Sequence, residues 1–110
     1  ETFIKAIFKK LIENGVKYNE SKIVDITIFY EDKGDQYLFS FKDNGIGVDV
    51  AYHERIFEMF ERLQTNDKYT GSGVGLGMSK KLVEKLQGRI WIESTLHQGS
   101  TFYVNLPKKY

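Results

Sequence analysis

The sequence predicts an α+β fold, a two-layer α/β sandwich in which helices cover one face of a mixed, mostly antiparallel sheet. Two observations support this prediction. Apolar residues recur at helical spacing in two segments, one at the start of the chain and one after a glycine-rich stretch. Two pairs of alternating segments lie between and after them, and each pair is joined by a short turn, as in a β-hairpin.

The first helix is predicted from one apolar stripe near the start of the chain, formed by Ile4, Ile7, Phe8 and Leu11. Asn14 and Lys17 lie along the flank of this helix. The first hairpin follows, with strands at residues 22–32 and 36–43 and a tight turn between them. Alternation places these side chains on one face of each strand: Val24, Ile26, Ile28 and Tyr30 on the first, and Tyr37, Phe39 and Phe41 on the second.

The second half of the chain is predicted to open with one or two short helices at residues 50–63 and a polar, aperiodic loop at residues 64–73. The second main helix is predicted at residues 74–88, with Gly88 as its C-terminal stop. Its apolar side consists of Leu76, Leu82, Val83 and Leu86. Two strands and a turn at residues 89–107 form the second hairpin.

The composition is that of a single globular domain with one modest core, since the chain has 110 residues, 41% of them hydrophobic and 28% charged. A net charge of +1 gives no strong attraction to nucleic acids or membranes. The absence of cysteine excludes disulfides and thiolate metal sites. The chain starts abruptly inside a helical pattern, so we expect residues 1–110 to be a domain excised from a longer protein.

The glycine-rich stretch at residues 70–77 fails two common phosphate motifs. No glycine is followed by lysine, which excludes a P-loop, and the dinucleotide fingerprint fails at Leu76 when counted from Gly71 and at Met78 when counted from Gly73. Bare glycine backbone and a helix N-terminus nevertheless suit a phosphate group. A mobile loop capped by a helix is an equally open interpretation of this stretch alone.

Two further elements carry chemistry. Asp43 ends a strand beside Gly45 and Gly47, where a carboxylate can accept a hydrogen bond from the exocyclic amine of adenine. Asn14 and Lys17 lie three apart on a helix, so an amide oxygen for magnesium adjoins a cation for phosphate. The alternatives are a turn with local backbone hydrogen bonds and a solvated helix end.

Taken together, five motifs follow one another over nearly the whole chain: "LIENGVKYN", "DNGIG", "IFEMFERL", "GSGVGLG" and the hairpin "GRIWIEST…GSTFYVNLP". This series resembles the ATP-binding catalytic domain of sensor histidine kinases, whose fold is shared with gyrase-type topoisomerases, Hsp90 and the mismatch-repair MutL proteins. The first four motifs resemble its asparagine box, first glycine box, phenylalanine box (with Phe57 and Phe60) and second glycine box. The residues of these motifs are most similar to those of phytochrome-like histidine kinases.

The resemblance implies residue roles. Asn14 should ligate the magnesium ion that bridges the ATP phosphates, and Lys17 should contact phosphate. Tyr18 should pack near the base or ribose, and Asp43 should bind the adenine amine. Arg62 should reach the phosphates, so catalysis is assigned to it together with Asn14 and Lys17.

The glycines have implied roles as well. Gly45 and Gly47 should leave room for the nucleotide. A mobile ATP lid is expected at residues 62–72, and its hinge, with backbone N–H groups directed at phosphate, is assigned to Gly71, Gly73 and Gly75. Leu76 is included among the nucleotide-binding residues.

The implied function is to bind Mg–ATP and to donate the γ-phosphoryl group to a histidine on a separate upstream dimerisation domain, with a response regulator acting downstream. A cytoplasmic monomer without nucleic-acid or membrane contact is expected. His53 lacks the proline that usually follows the acceptor motif, and His97 lies in a predicted turn, so neither is expected to be the acceptor.

The sequence departs from the family pattern at two positions. Lys10 replaces an asparagine, at the position where ATPases of this superfamily carry the glutamate that activates water. Rapid hydrolysis is therefore not expected, and a degenerate nucleotide-binding or protein-interaction module is the alternative function. A serine kinase of the anti-sigma-factor type shares the motifs and is a further alternative. Gly77 replaces the usual alanine, at a cost of roughly 1 kcal/mol in helix stability.

Overall fold

The computed structural model describes residues 2–57 and 74–108. The helices are α1 (Thr2–Lys17) and α2 (Val74–Lys85), and the strands are β1 (Ile26–Asp32), β2 (Gln36–Asp43), β3 (Arg89–Ser94) and β4 (Ser100–Pro107). Two single turns of 3₁₀ helix, Val50–Tyr52 and Arg55–Phe57, lie between β2 and the first undescribed stretch. The predicted order of elements is confirmed within these residues, whereas the predicted loop at residues 64–73 lies outside them.

The four strands form one sheet in the order β1-β2-β4-β3, and every described pairing is antiparallel. The two hairpins therefore lie side by side through β2 and β4, with Asp43 opposite Ser100 at one end of that pair. The predicted α+β sandwich is confirmed. The parallel pairing that a mixed sheet would need does not occur among the described strands.

The core lies between the helices and one face of the sheet. Ile7 and Leu11 of α1 are buried there, as the apolar stripe predicts, and α2 contributes Val83. The ring of Phe8 meets those of Phe39 and Phe41 edge-on, with 4.9 Å between ring centroids in both pairs. This packing fixes α1 over β2, so the C-terminal end of the helix comes close to the end of that strand.

The end of α2 differs from the prediction. The left-handed residue is Gln87 (φ 63°), and the N–H of Gly88 donates to the Val83 carbonyl at 2.9 Å, which is the Schellman arrangement with a non-glycine residue in the left-handed position. Gly88 is required for a different reason, because a Cβ there would overlap the carbonyl oxygen of Asn105. Close packing against β4, and not helix termination, explains this glycine.

The first strand, β1, is far less buried than its alternating pattern suggests. Ile28 and Tyr30 point to one face of the sheet and are 46% and 68% exposed. Phe29 points to the other face and is 56% exposed, so neither face of the strand is buried. The apolar face does form, because Tyr30 stacks on Phe39 with 6.1 Å between ring centroids. The strand lies at the edge of the described sheet, however, and α1 packs mainly over its neighbour β2.

Candidate functional site

A small pocket lies where the end of α1 meets the end of β2. It is lined by Asn14, Tyr18, Asp43, Ile46, Gly47, Val48 and Ser100. Four of these were predicted as site residues from the sequence: Asn14, Tyr18, Asp43 and Gly47. The structure therefore brings the motif at the end of the first helix together with the motif that follows the second strand, 29 positions apart when counted from Asn14 to Asp43.

Asp43 is the last residue of β2 and is half-buried in this pocket. Its Oδ1 accepts a hydrogen bond from the backbone N–H of Gly45 at 2.9 Å, which fixes the orientation of the carboxyl group. Burial raises the pKa of the Asp43 carboxyl, and the backbone N–H groups of Gly45 and Ser100 oppose this only in part. A partly desolvated acid in a pocket is typical of a binding or catalytic site.

The turn after β2 is joined directly to the end of α1. The N–H of Ile46 donates to the carbonyl of Tyr18 at 3.0 Å. A Cβ on Gly45 would lie 2.6 Å from that same carbonyl oxygen and 2.9 Å from Asp43 Oδ1. Only glycine therefore lets the two segments approach this closely, and their contact sets the position of Asn14 relative to Asp43.

Gly47 has a second structural requirement. It adopts a left-handed conformation (φ 74°), and a Cβ would overlap the carbonyl oxygen of Thr95 in the turn between β3 and β4. The N–H of Val48 donates to Ser94 Oγ at 2.7 Å, which ties the same turn to the loop. Both glycines thus have a packing role that the sequence did not reveal, while the predicted role of leaving room for a nucleotide stays a prediction.

Sequence reasoning missed the part played by Asn44. Its Oδ1 accepts from Asn19 Nδ2 at 2.8 Å and from the N–H of Asp25 at 2.9 Å, and its Nδ2 donates to the carbonyl of Ile23 at 2.8 Å. One side chain thereby holds the connection between α1 and β1 against the pocket loop. The available signal was an asparagine in each of the two motifs, Asn19 at the end of "LIENGVKYN" and Asn44 within "DNGIG".

The two lysines on α1 occupy different surroundings. The ammonium group of Lys17 lies 5.8 Å from the centroid of the Tyr18 ring, next to the pocket. Lys10 is exposed, and its Nζ lies 3.8 Å from Glu13 Oε1 on the next turn of the helix. Neither lysine is among the residues that line the pocket, but Lys17 directly precedes Tyr18, which is. Of the two lysines, Lys17 is therefore the one adjacent to the pocket.

Several predicted residues fall elsewhere. Phe60, Arg62, Gly71, Gly73 and the lid at residues 62–72 lie outside the described residues. Gly75 lies in the first turn of α2, and Leu76 is buried in the core. Phe57 is also buried, with its ring edge-on to that of Phe102 at 6.1 Å.

Neither histidine lies on the pocket. A ring nitrogen of His53, Nε2, is 2.9 Å from the carbonyl oxygen of Val48, so it donates a hydrogen bond to the backbone. His97 is exposed in the turn between β3 and β4 and has a left-handed conformation (φ 69°).

Within residues 2–57 and 74–108, no group of three or more histidine, cysteine, aspartate or glutamate side chains could hold a metal ion. What the pocket does offer a hard cation is the carboxamide oxygen of Asn14. Such a neutral oxygen suits magnesium when the remaining ligands are water and phosphate oxygens. In the described part of the chain, no helix is both long and apolar enough to cross a membrane.

The whole chain, residues 1–110, matches the family described as histidine kinase-, DNA gyrase B-, and HSP90-like ATPase. It is 44% identical over 106 residues to cyanobacterial phytochrome A of Nostoc sp. and 46% identical over 101 residues to phytochrome-like protein Cph1 of Synechocystis sp.. These alignments cover 96% and 92% of this chain but 14% of each relative. The chain therefore spans about one seventh of the curated relatives that it matches.

Solved structures agree with the sequence comparison. The catalytic domain of histidine kinase ThkA superposes with a TM-score of 0.82 at 28% identity, over 98% of this chain and 68% of that one. Full-length ShkA in complex with AMPPNP gives a TM-score of 0.78 at 31% identity, over 96% of this chain and 21% of that one.

We expect the close approach at Gly47 to be measurable through a pair of alanine substitutions. Gly34→Ala places a Cβ at another left-handed position (φ 95°) with no atom within 4 Å, so it should cost only about 1–2 kcal/mol of backbone strain. Gly47→Ala should cost about 1–3 kcal/mol more, because Thr95 must move. Urea denaturation gives both free energies of unfolding, and equal losses would show that the overlap at Gly47 relaxes freely.

Proposed function

The chain belongs to the family of histidine kinase-, DNA gyrase B-, and HSP90-like ATPases, and we propose that residues 1–110 are the Mg–ATP-binding catalytic domain of a sensor histidine kinase. In this proposal the domain donates the γ-phosphoryl group of ATP to a histidine on a separate dimerisation domain. It is the catalytic part of a histidine kinase and needs that acceptor domain for activity.

The observation that carries the proposal is the half-buried carboxyl group of Asp43 beside Asn14 and Tyr18. The carboxyl group accepts from the backbone N–H groups of Gly45, at Oδ1, and of Ser100, and since its two oxygens can accept about four hydrogen bonds, a remaining acceptor position is assigned to the adenine amine. A carboxylate accepts from that amine and has no proton to offer the carbonyl oxygen that guanine carries at the same position. This arrangement favours adenine over guanine nucleotides.

The opposite side of the pocket is assigned to the phosphates. Asn14 would hold magnesium through its carboxamide oxygen, and Lys17, at the C-terminal end of α1, would pair with a phosphate oxygen. Magnesium, when bound, neutralises charge on the phosphates. Arg62, Gly71, Gly73 and Gly75 are proposed to complete the phosphate contacts, on the evidence of the sequence motifs alone.

In the proposed reaction an imidazole nitrogen of the acceptor attacks the γ-phosphorus, the bond from the γ-phosphorus to the bridging oxygen breaks, and ADP leaves. The chain contributes position and charge neutralisation, since phosphoryl transfer needs little covalent help from the protein. The acceptor is assigned to another domain because neither histidine is among the residues that line the pocket and His53 Nε2 is engaged by the carbonyl of Val48. The curated relatives extend far beyond the matched region, which leaves room for such a domain.

The departure at Lys10 bears on the alternative functions. Its exposed side chain lies near Glu13 and away from the pocket lining, so it is not expected to obstruct nucleotide binding. This favours the kinase over a degenerate module. A lysine at this position supplies no base to activate water, which argues against an efficient ATPase. We further propose a response regulator as the downstream partner and a cytoplasmic location, where ATP is supplied.

The adenine assignment predicts the behaviour of Asp43→Asn. The amide keeps an oxygen for the N–H of Gly45 but turns a donor toward the donating adenine amine, so ATP affinity should fall roughly 10- to 150-fold, as for the loss of about 1.5–3 kcal/mol from a charged hydrogen bond. Calorimetric titration with ATP measures this, with Asp35→Asn, an exposed site in the β1–β2 turn, as the control. Undiminished affinity in Asp43→Asn would rule out the adenine assignment.

The raised pKa of Asp43 adds a check that the variant is folded. Because burial raises this pKa, ionisation of Asp43 costs native stability at neutral pH, and Asp43→Asn should leave the midpoint of thermal unfolding unchanged or higher. For the same reason, ATP affinity of the unmodified domain should begin to fall on acidification at a higher pH than for an ordinary aspartate.

The magnesium assignment predicts an unequal effect of Asn14→Ala. Removal of the carboxamide oxygen should weaken ATP binding in the presence of magnesium about tenfold and leave magnesium-free binding almost unchanged, because only the metal-linked contact is lost. Titrations with ATP in the presence of magnesium and in the presence of a chelator give the ratio of the affinities of the unmodified domain and Asn14→Ala under each condition. Equal losses under both conditions would assign Asn14 a purely structural role.

The kinase proposal itself is tested by phosphoryl transfer. This domain, ATP and magnesium are mixed with the helical dimerisation domain of the parent protein, and acid-labile phosphate on the latter is measured. Transfer that is lost in Asp43→Asn is the expected result. Intact ATP binding without transfer would support the degenerate module instead.

A further inference from the structure

Among the described residues, the edge strand β1 presents an uncovered surface with a defined chemical pattern. It pairs with β2 on one side and with no described strand on the other. Ile28, Phe29 and Tyr30 are all exposed there. Long apolar edge strands are normally protected in soluble proteins, because their free backbone groups and side chains recruit other strands.

The direction of the free backbone groups follows from the hydrogen bonds of the hairpin. The N–H of Lys33 donates to the carbonyl of Gln36 at 2.8 Å, and the N–H of Asn44 donates to the carbonyl of Asp25 at 3.3 Å. The odd-numbered residues of the first strand therefore direct their backbone N–H and C=O groups toward β2. In an antiparallel pair the alternate residues point their N–H and C=O groups the other way. Ile28 and Tyr30 therefore present theirs to the open edge.

Two of the features that usually protect an edge, proline and a bulge, are missing from β1, whose register with β2 runs unbroken from Ile26 opposite Asp43 to Asp32 opposite Tyr37. The strand does carry acids, and each has a lysine partner: Lys33 Nζ lies 3.6 Å from Glu31 Oε2, and Lys108 Nζ lies 2.8 Å from Asp32 Oδ1. A basic residue of an added strand therefore shares Glu31 with Lys33. The other edge of the described sheet, β3, is one residue shorter and carries Arg89, whose guanidinium lies over the Trp91 ring at 5.0 Å. Of these two edges, β1 is the more open to an added strand.

The two faces of β1 differ in charge. The face toward the helices carries Ile26, Ile28 and Tyr30 in succession, and Tyr30 continues the aromatic packing of Phe39. The opposite face carries Phe29 between two acids. Asp25 belongs to this second face, since Thr27 Oγ1 donates to Asp25 Oδ1 at 3.1 Å, and Glu31 lies at its other end.

We propose that β1 is a docking edge for an extended segment of a partner protein, which adds to the sheet as a further antiparallel strand. The segment carries apolar residues opposite Ile26, Ile28 and Tyr30, and lysine or arginine opposite Asp25 and Glu31. Its sequence is therefore basic at two positions six residues apart, with apolar residues at alternate positions between them. Backbone hydrogen bonds supply affinity and the charged ends supply register.

The same charges argue against a second copy of this chain as the occupant. A two-fold antiparallel pairing of β1 centred on Ile28 brings the outward-facing residues of the two copies together and places Asp25 opposite Glu31. Like charges directly opposite each other destabilise a strand pair. The pocket residues take no part in the docking edge, so this proposal is independent of nucleotide binding.

The test uses the peptide Lys-Val-Thr-Val-Thr-Val-Lys and its counterpart with glutamate at both ends. Titration of the isotope-labelled domain should give saturable shifts of the Ile28 and Tyr30 amide signals with the lysine peptide and at least tenfold weaker binding of the glutamate peptide. A lysine peptide N-methylated on the residues whose N–H groups face β1 should not bind. Binding of all three alike, or of none, would overturn the proposal.

A charge reversal provides the matched variant. Glu31→Lys should weaken the lysine peptide and abolish the preference between the two peptides, because one end of the docking edge is then basic while Asp25 stays acidic, whereas Glu84→Lys, at an exposed position on α2, should not. Both variants should keep wild-type ATP affinity, which separates this proposal from the nucleotide site and shows that they are folded. Unchanged peptide preference in Glu31→Lys, or a concentration-dependent dimer that occupies the β1 amides, would contradict it.

Discussion

The contact between the Tyr18 carbonyl and the turn after β2 is the constraint on which the site depends. That one oxygen accepts from the N–H of Ile46 and lies against Gly45 so closely that no side chain fits there. Because Tyr18 immediately follows α1 and the turn immediately follows β2, the contact fixes a helix end against a strand end. Asn14 and Asp43 line one pocket as a result.

The pocket loop is held from its other side as well. Gly47 packs on the Thr95 carbonyl, and the N–H of His97 donates to the Ile46 carbonyl. The loop thus lies between the end of α1 and the turn of the second hairpin, with backbone against backbone on both sides. In the proposed function these contacts would suit the recognition of a planar base, since a half-buried carboxyl such as that of Asp43 discriminates best when its direction is fixed.

Much of the fold could be predicted because it depends on local periodicity. The stripe through Ile7 and Leu11 identifies α1, and alternation identifies the hairpins. The exposure of β1 could not be predicted, because it depends on which strand α1 covers. The packing roles of Gly47 and Gly88 were likewise hidden, since the carbonyl groups that exclude a Cβ belong to residues far along the chain. Short glycine motifs indicate that space is needed without revealing what occupies it.

The candidate site is predicted by combination, because Asp43 and Asn14 are each ambiguous alone. The structure brings both to one pocket, and their roles stay a prediction. Asn44 was missed because hydrogen bonds to Asn19, Asp25 and Ile23 follow from tertiary contacts and leave no periodic trace.

Two asparagine–glycine steps, Asn14–Gly15 and Asn44–Gly45, lie in this site. In a flexible chain such a step can cyclise, as the glycine nitrogen attacks the side-chain carbonyl carbon and ammonia leaves. Water then opens the cyclic imide and leaves a carboxylate in place of the asparagine amide. Here the helix immobilises the first step, and side-chain hydrogen bonds immobilise the second. The native fold therefore protects this site from deamidation. A chain that spends time unfolded would gain a permanent negative charge at either step.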